Sequence, residues 1–137
     1  MSPISDQDLI ARAASVVNAR RIGDYLVGDV GCALISASGA VYTGVCIDVT
    51  CGIGFCAEHS AIAAMVTAGE NRIAKIVAVW TDENGAVSVL APCGRCREFM
   101  RQIQDGALGT QVILGRDEVA TLAELLPHPG RFQKLGE

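Results

Sequence analysis

The stretch RIAKIVAVWT at 72–81 constrains the fold more than any other part of the chain, because it is an apolar run of strand length. It follows AEHSAIAAMVTAG at 57–69, an alanine-rich segment that favours helix and ends in Gly69, a helix stop. A helix leading into a strand predicts a βαβ crossover. Upstream, VGDVGCALIS at 27–36 and AVYTGVCIDV at 40–49 are short β-branched runs around a SASG connection, which predicts a hairpin. Before them, Leu9, Ile10, Ala13, Ala14, Val16 and Val17 repeat at helical spacing between Ser5 and Arg21, and Ser5 with Asp8 resembles a capping box.

Downstream, DENG at 82–85 reads as a turn and VSVLAP at 87–92 as the end of a strand or a loop. A second helix is predicted over CGRCREFMRQIQDG, starting just after Pro92. QVILG at 111–115 is a further strand, and VATLAELLP at 119–127 predicts a last helix stopped by Pro127. The order αββαβαβα predicts one α/β domain over residues 1–137, with helices covering a central sheet.

Bulk properties narrow the function classes. A chain of 137 residues can bury a core without staples, and with half its residues hydrophobic it is not a disordered segment. Eleven Lys and Arg against fifteen Asp and Glu give a net charge of −4, so no broad basic surface is available for a nucleic acid polymer. No apolar run approaches the ~18 residues of a membrane span. The opening MSPISDQDLI has no basic segment followed by an apolar one. A cytoplasmic protein acting away from membranes is the expectation.

The six cysteines stand at 32, 46, 51, 56, 93 and 96. In a reducing compartment, clustered cysteines signal metal binding or catalysis more than disulfides. Cys32 and Cys46 lie in strand-like surroundings and read as small buried hydrophobes. Cys56 and Cys93 each open a predicted helix, and Cys96 lies one turn beyond Cys93. Helix N-termini favour thiolates, and three thiolates at one point suit Zn²⁺ with its fourth position open. Glu58, on a short tether from Cys56, could then move a proton at that open position. Two other readings stay open here. Cys93 and Cys96 could form a redox dithiol, which leaves Glu58 beside Cys56 unexplained. A closed, non-catalytic zinc site would take Cys51, His59 or His128 as fourth ligand, which leaves Glu58 without a task.

CAE at 56–58 followed by PCGRCR at 92–97 resembles the signature of the zinc-dependent cytidine deaminase superfamily. With TGV at 43–45 and ELLP at 124–127, the likeness spans most of the chain and is nearest to the small cytidine deaminases and blasticidin-S deaminase. It implies a three-layer α/β/α sandwich with a central mixed sheet. It also implies zinc on Cys56, Cys93 and Cys96, with Glu58 as the proton carrier. The N–H of Ala57 and the carbonyl of Ala91 would contact the base. The implied reaction is hydrolytic deamination of a free pyrimidine nucleoside with release of ammonia, the alternative substrate being blasticidin S or another aminoheterocycle. Homotetramers are the family's usual assembly, with neighbouring subunits completing each site.

The chain departs from that pattern at three places. Where the family carries Asn-x-Glu for the sugar hydroxyls, this sequence has Cys46-Ile47-Asp48. A thiol is a weak hydrogen-bonding group, whereas Asp48 can still accept from a hydroxyl; both positions are candidate substrate contacts. His59 stands where three-cysteine members place an arginine that offsets thiolate charge, a task Arg95 or Arg97 could share. LVGDVG at 26–31 lacks the usual base-stacking Phe. Phe55, Trp80 and Phe132 are the candidates instead, and Phe132 sits where a C-terminal aromatic would reach an adjacent subunit's site.

Overall fold

A computed structural model describes residues 4–136. Its centre is β5 (Ile73–Thr81), the apolar run singled out above. Along one edge β5 pairs antiparallel with β3 (Val30–Ser36), which in turn pairs antiparallel with β4 (Val41–Val45), the predicted hairpin. The other edge is shared. Residues Ala78–Thr81 pair antiparallel with β6 (Val87–Leu90), whereas Lys75 and Ile76 pair parallel with β7 (Gln111–Gly115). An outer strand, β8 (Glu118–Thr121), runs antiparallel to β7. The sheet is therefore mixed, with order β4-β3-β5-β7-β8 and β6 attached to β5.

Helices cover both faces, which explains why β5 reads as a continuous rather than an alternating apolar run. Successive residues of a strand face opposite ways. Leu34, Ile76 and Val112 pack with α2 (Ala57–Thr67) and α3 (Gly94–Ile103). Their neighbours Ala33, Val77 and Ile113 pack with Leu9 and Ala13 of α1 (Asp6–Val16). A fully buried side chain such as Leu9 contributes roughly 1.5–3 kcal/mol by leaving water. This is the expected three-layer arrangement. Ser5 caps α1 as predicted, its hydroxyl accepting from the Asp8 N–H at 3.1 Å.

Two elements differ from the sequence expectation. The first helix ends at Val16 rather than Arg21. Arg20–Ile22 instead forms β1, paired with β2 (Tyr25–Val27) around a two-residue Gly23–Asp24 turn with Gly23 at φ +61°. A glycine opening a two-residue loop is a hairpin signal, and pairing won over helical periodicity in RRIGDY. The last predicted helix begins as β8, so only Leu122–Leu125 is helical (α4). Thr121 both ends β8 and caps α4 in a capping box with Glu124. Pairing with β7 through Ile113↔Val119 holds the preceding residues extended.

How α2 docks on the sheet decides where its first turn lies. Gly44 of β4 touches the helix so closely that a Cβ there would stand 2.5 Å from the Ala61 nitrogen and 2.4 Å from the Ser60 Cβ. The Ser60 hydroxyl donates to the Val45 carbonyl at 2.7 Å, fixing the register of that approach. Gly44→Ala is therefore expected to overpack α2 against β4 and cost about 1–3 kcal/mol. Gly109→Ala, at a position where a Cβ meets open space, should stay within about 0.5 kcal/mol. Urea melts of the two variants against the parent chain measure the difference.

Candidate active site

Both cysteine motifs fall at helix starts. Cys56 is the N-cap of α2 and Cys93 the N-cap of α3, each in extended backbone and with no side-chain cap bond. A thiol is a poor cap, so first-turn N–H groups and the positive ends of two helix dipoles are left facing the sulfurs. The Cys56 and Cys93 sulfurs are 3.6 Å apart, and those of Cys93 and Cys96 are 3.4 Å apart. The Cys56 and Cys96 sulfurs and a ring nitrogen of His59 all lie within 4.8 Å of one another. Tetrahedral zinc, with Zn–S bonds of ~2.3 Å, spaces its sulfurs ~3.8 Å apart. The three sulfurs fit that ion.

Burial, and then the Glu58 carboxylate, push the Cys96 thiol far above its ordinary range. Burial also raises Cys56, followed by its hydrogen bond with Cys93. Burial acts upward on Cys93 too, but hydrogen bonds from the Cys96 backbone and from the Cys96 and Cys56 thiols bring it below the usual thiol value. Glu58 is 5% exposed, and burial raises its carboxyl above the ordinary carboxylate range. Thiols and a carboxyl gathered this closely resist ionising together, and a dication among them reverses that resistance.

Beside the sulfurs lies a cavity of about 180 Å³. Cys56, Ala57, Glu58, Ala91 and Cys93 all line it. So do Cys46 and Asp48, while Val30, Ala78 and Leu90 supply apolar wall. The hairpin register sets Ala78 opposite Leu90 and so carries the chain from β5 back to Ala91 and Cys93. Cys96 is fully buried and does not line the cavity.

Other candidates lie elsewhere. Phe132 is fully exposed on the tail after α4 and does not line the cavity of its own chain, and no aromatic residue does. Cys51 and His128, offered as fourth ligands of a closed site, are both exposed at positive φ, and neither belongs to a metal-capable group of the described residues. His59 comes nearer: its Nδ1 is 3.5 Å from the Cys96 sulfur, and its ring stacks on Phe99 with centroids 4.4 Å apart. Burial, and then Arg95, lower its pKa, which favours the neutral imidazole with its single ring N–H. Cys32 is the buried core residue expected, at 0% exposure. Cys46 is buried as expected but also bonded: its thiol donates to Asp29 Oδ1 at 3.2 Å and accepts from the Val30 N–H at 3.4 Å. Asp29 escaped the sequence reading, because an acidic residue between two glycine-flanked valines carries no local signal of what it meets 17 residues away.

Comparison with known proteins agrees with this geometry. A family model described as the cytidine and deoxycytidylate deaminase zinc-binding region matches residues 4–110. The cytidine deaminase of Sporosarcina psychrophila is 35% identical over 108 residues, 77% of this chain and 75% of that protein. The blasticidin-S deaminase of Bacillus cereus is 31% identical over 103 residues, 72% of this chain and 74% of that protein. The crystal structure of cytidine deaminase from Mycobacterium tuberculosis superposes with a TM-score of 0.72 at 26% identity, covering 93% of this chain and 99% of that one. The Mycobacterium leprae cytidine deaminase gives 0.70 at 28% identity over 90% and 99% of the two chains. The chain belongs to the zinc-binding cytidine and deoxycytidylate deaminase family, a family of hydrolytic deaminases.

Proposed function

We propose that this chain deaminates a free cytosine-type nucleoside, cytidine or deoxycytidine, by hydrolysis at the carbon bearing the amino group, releasing ammonia. The observation that carries the proposal is the single cavity in which Glu58 stands among Cys56, Cys93, Ala57 and Ala91. Cys56, Cys93 and Cys96 would hold zinc, which supplies Lewis acidity at an open fourth position and so acidifies water there. Glu58 takes one proton of the attacking water and passes it to the ring nitrogen; it then takes the proton left on the added hydroxyl and delivers it to the amine, which departs as the carbon–nitrogen bond breaks and the carbonyl forms. Its burial raises its proton affinity towards the working pH, which suits a group that must both accept and release. The N–H of Ala57 donates to the base oxygen, and the carbonyl of Ala91 accepts from the amino edge. Asp48, exposed at the cavity wall, accepts from a sugar hydroxyl.

The same reading makes the active form a cytoplasmic homotetramer in which Phe132 of one subunit reaches a neighbour's site. Its full exposure on the tail supports that role, because within its own chain it packs against nothing that would cover it. The free thiols support a reducing compartment. A net charge of −4 supports a small substrate over a polynucleotide, and no helix of the described residues is long and apolar enough to cross a membrane.

Purified protein is expected to carry about one zinc per chain by elemental analysis. Glu58→Ala should keep that zinc while losing at least ~10²-fold in kcat. A zinc-loaded parent chain inert towards cytidine, deoxycytidine and their N4-substituted analogues sinks the pyrimidine assignment, and faster turnover of blasticidin S moves it to that antibiotic. Asp48→Ala should raise KM for cytidine ~10-fold or more with a smaller change in kcat, as loss of a charge-assisted bond to a non-reacting hydroxyl requires. Steady-state kinetics against cytosine, which lacks the sugar, provide the control: there the variant should match the parent.

A further inference from the structure

Arg97 lies in the first turn of α3, next to Cys96, yet its side chain serves neither the helix nor the sulfurs. Its Nε donates to the Pro92 carbonyl at 2.8 Å, and Nη1 donates to the Leu125 carbonyl at 3.0 Å. Each carbonyl is one the backbone leaves over. The bond from the Arg97 N–H to the Cys93 carbonyl, at 3.0 Å, opens α3, so the Pro92 carbonyl falls just outside the helix. Leu125 is the last residue of α4, where helix carbonyls lose their partners, and the chain leaves the helix at Leu126 with φ −137°. A guanidinium presents donors on separate nitrogens of a rigid planar fork and can span two such carbonyls, whereas an ammonium gathers its three donors on one nitrogen.

What is held matters more than the bonds themselves. The Pro92 carbonyl belongs to the peptide that joins Pro92 to Cys93, and both Ala91 and Cys93 line the cavity. Pro92 itself is buried, and Leu125 and Leu126 pack on the same core as Cys96, so both ends of the bracket are fixed. The α2 side of the site has its own tie, through Ser60 and Val45. On the α3 side, Arg97 is the side chain that grips the segment just before the N-cap.

We infer that Arg97 is a positioning residue: through the Pro92 and Leu125 carbonyls it anchors the Ala91–Cys93 segment to the C-terminal turn, and so sets the Cys93 sulfur against those of Cys56 and Cys96. The turn at Leu122–Leu125, remote in sequence from both cysteine motifs, is on this view part of the active-site frame. Both nitrogens go to carbonyl oxygens, so offsetting thiolate charge is not what the side chain does directly. This inference rests on the zinc site of the proposed function, and metal content of the parent chain tests that reading separately.

Arg97→Gln and Arg97→Lys in the full chain decide it. Three quantities are compared with the parent: zinc transfer to a competing chelator, the thiolate-to-metal charge-transfer band of the cobalt-substituted protein, and the melting temperature of the metal-free chain. Arg97→Gln should weaken zinc retention roughly 10–100-fold, as loss of groups that orient metal ligands does, and shift the cobalt band. Arg97→Lys, reaching one carbonyl, should lose less. A lower melting temperature with zinc retention within about twofold of the parent and an unmoved cobalt band would make Arg97 merely structural and overturn the inference. If the glutamine chain does not fold, the lysine chain is read by the same criteria.

Discussion

Two helices begin at one point, each with a cysteine where a capping serine or aspartate would ordinarily stand, so the positive ends of two helix dipoles converge on one cluster of sulfurs. The sulfurs lie 3.4 and 3.6 Å apart, close enough to share hydrogen bonds, with a buried carboxyl beside them. The burial that raises Cys96 and Glu58 is the same burial that makes a bound dication effective, because little water screens it. The raised proton affinities of the Cys96 thiol and the Glu58 carboxyl are thus two results of one enclosure.

The sheet supplies the rigidity this requires. Gly44 lets α2 sit directly on β4, and Ser60 fixes it there, so Cys56 and Glu58 inherit their positions from the hairpin of β3 and β4. The α3 side inherits its position from β5 and β6, whose pairing ends at Ala78 and Leu90 just before Ala91. Because β3 lies between β4 and β5, both halves refer to one strand, and its Cys32 and Leu34 are fully buried against the helices. Strain introduced at β3 would reach both halves of the sulfur cluster together.

Much of this was legible in the chain. An apolar run after a glycine-stopped helix predicted the crossover, and CAE with PCGRCR pointed to the family, because both signals are local. RRIGDY and EVAT were not legible, since helical periodicity and strand pairing compete there. The pairing that wins involves partners a local pattern does not contain, such as Gln111 opposite Thr121. The bracket at Arg97 escaped for a similar reason: its second acceptor is a backbone carbonyl 28 residues downstream, and a carbonyl leaves no trace in side-chain composition.

The pair Cys46 and Asp48 shows how the structure sharpens a sequence-level ambiguity. From the sequence, both were candidate substrate contacts. In the fold, the Cys46 thiol already gives its proton to Asp29 and receives the Val30 N–H, and burial pushes its pKa up to about 11. A thiol held protonated and bonded on both sides has little left to offer a ligand, so Cys46 acts as wall. Asp48 is different: it is exposed, lines the cavity, and belongs to neither ion pair found among the described residues. Of the two, Asp48 is therefore the one that brings an exposed carboxylate, one methylene shorter than glutamate, to the cavity wall.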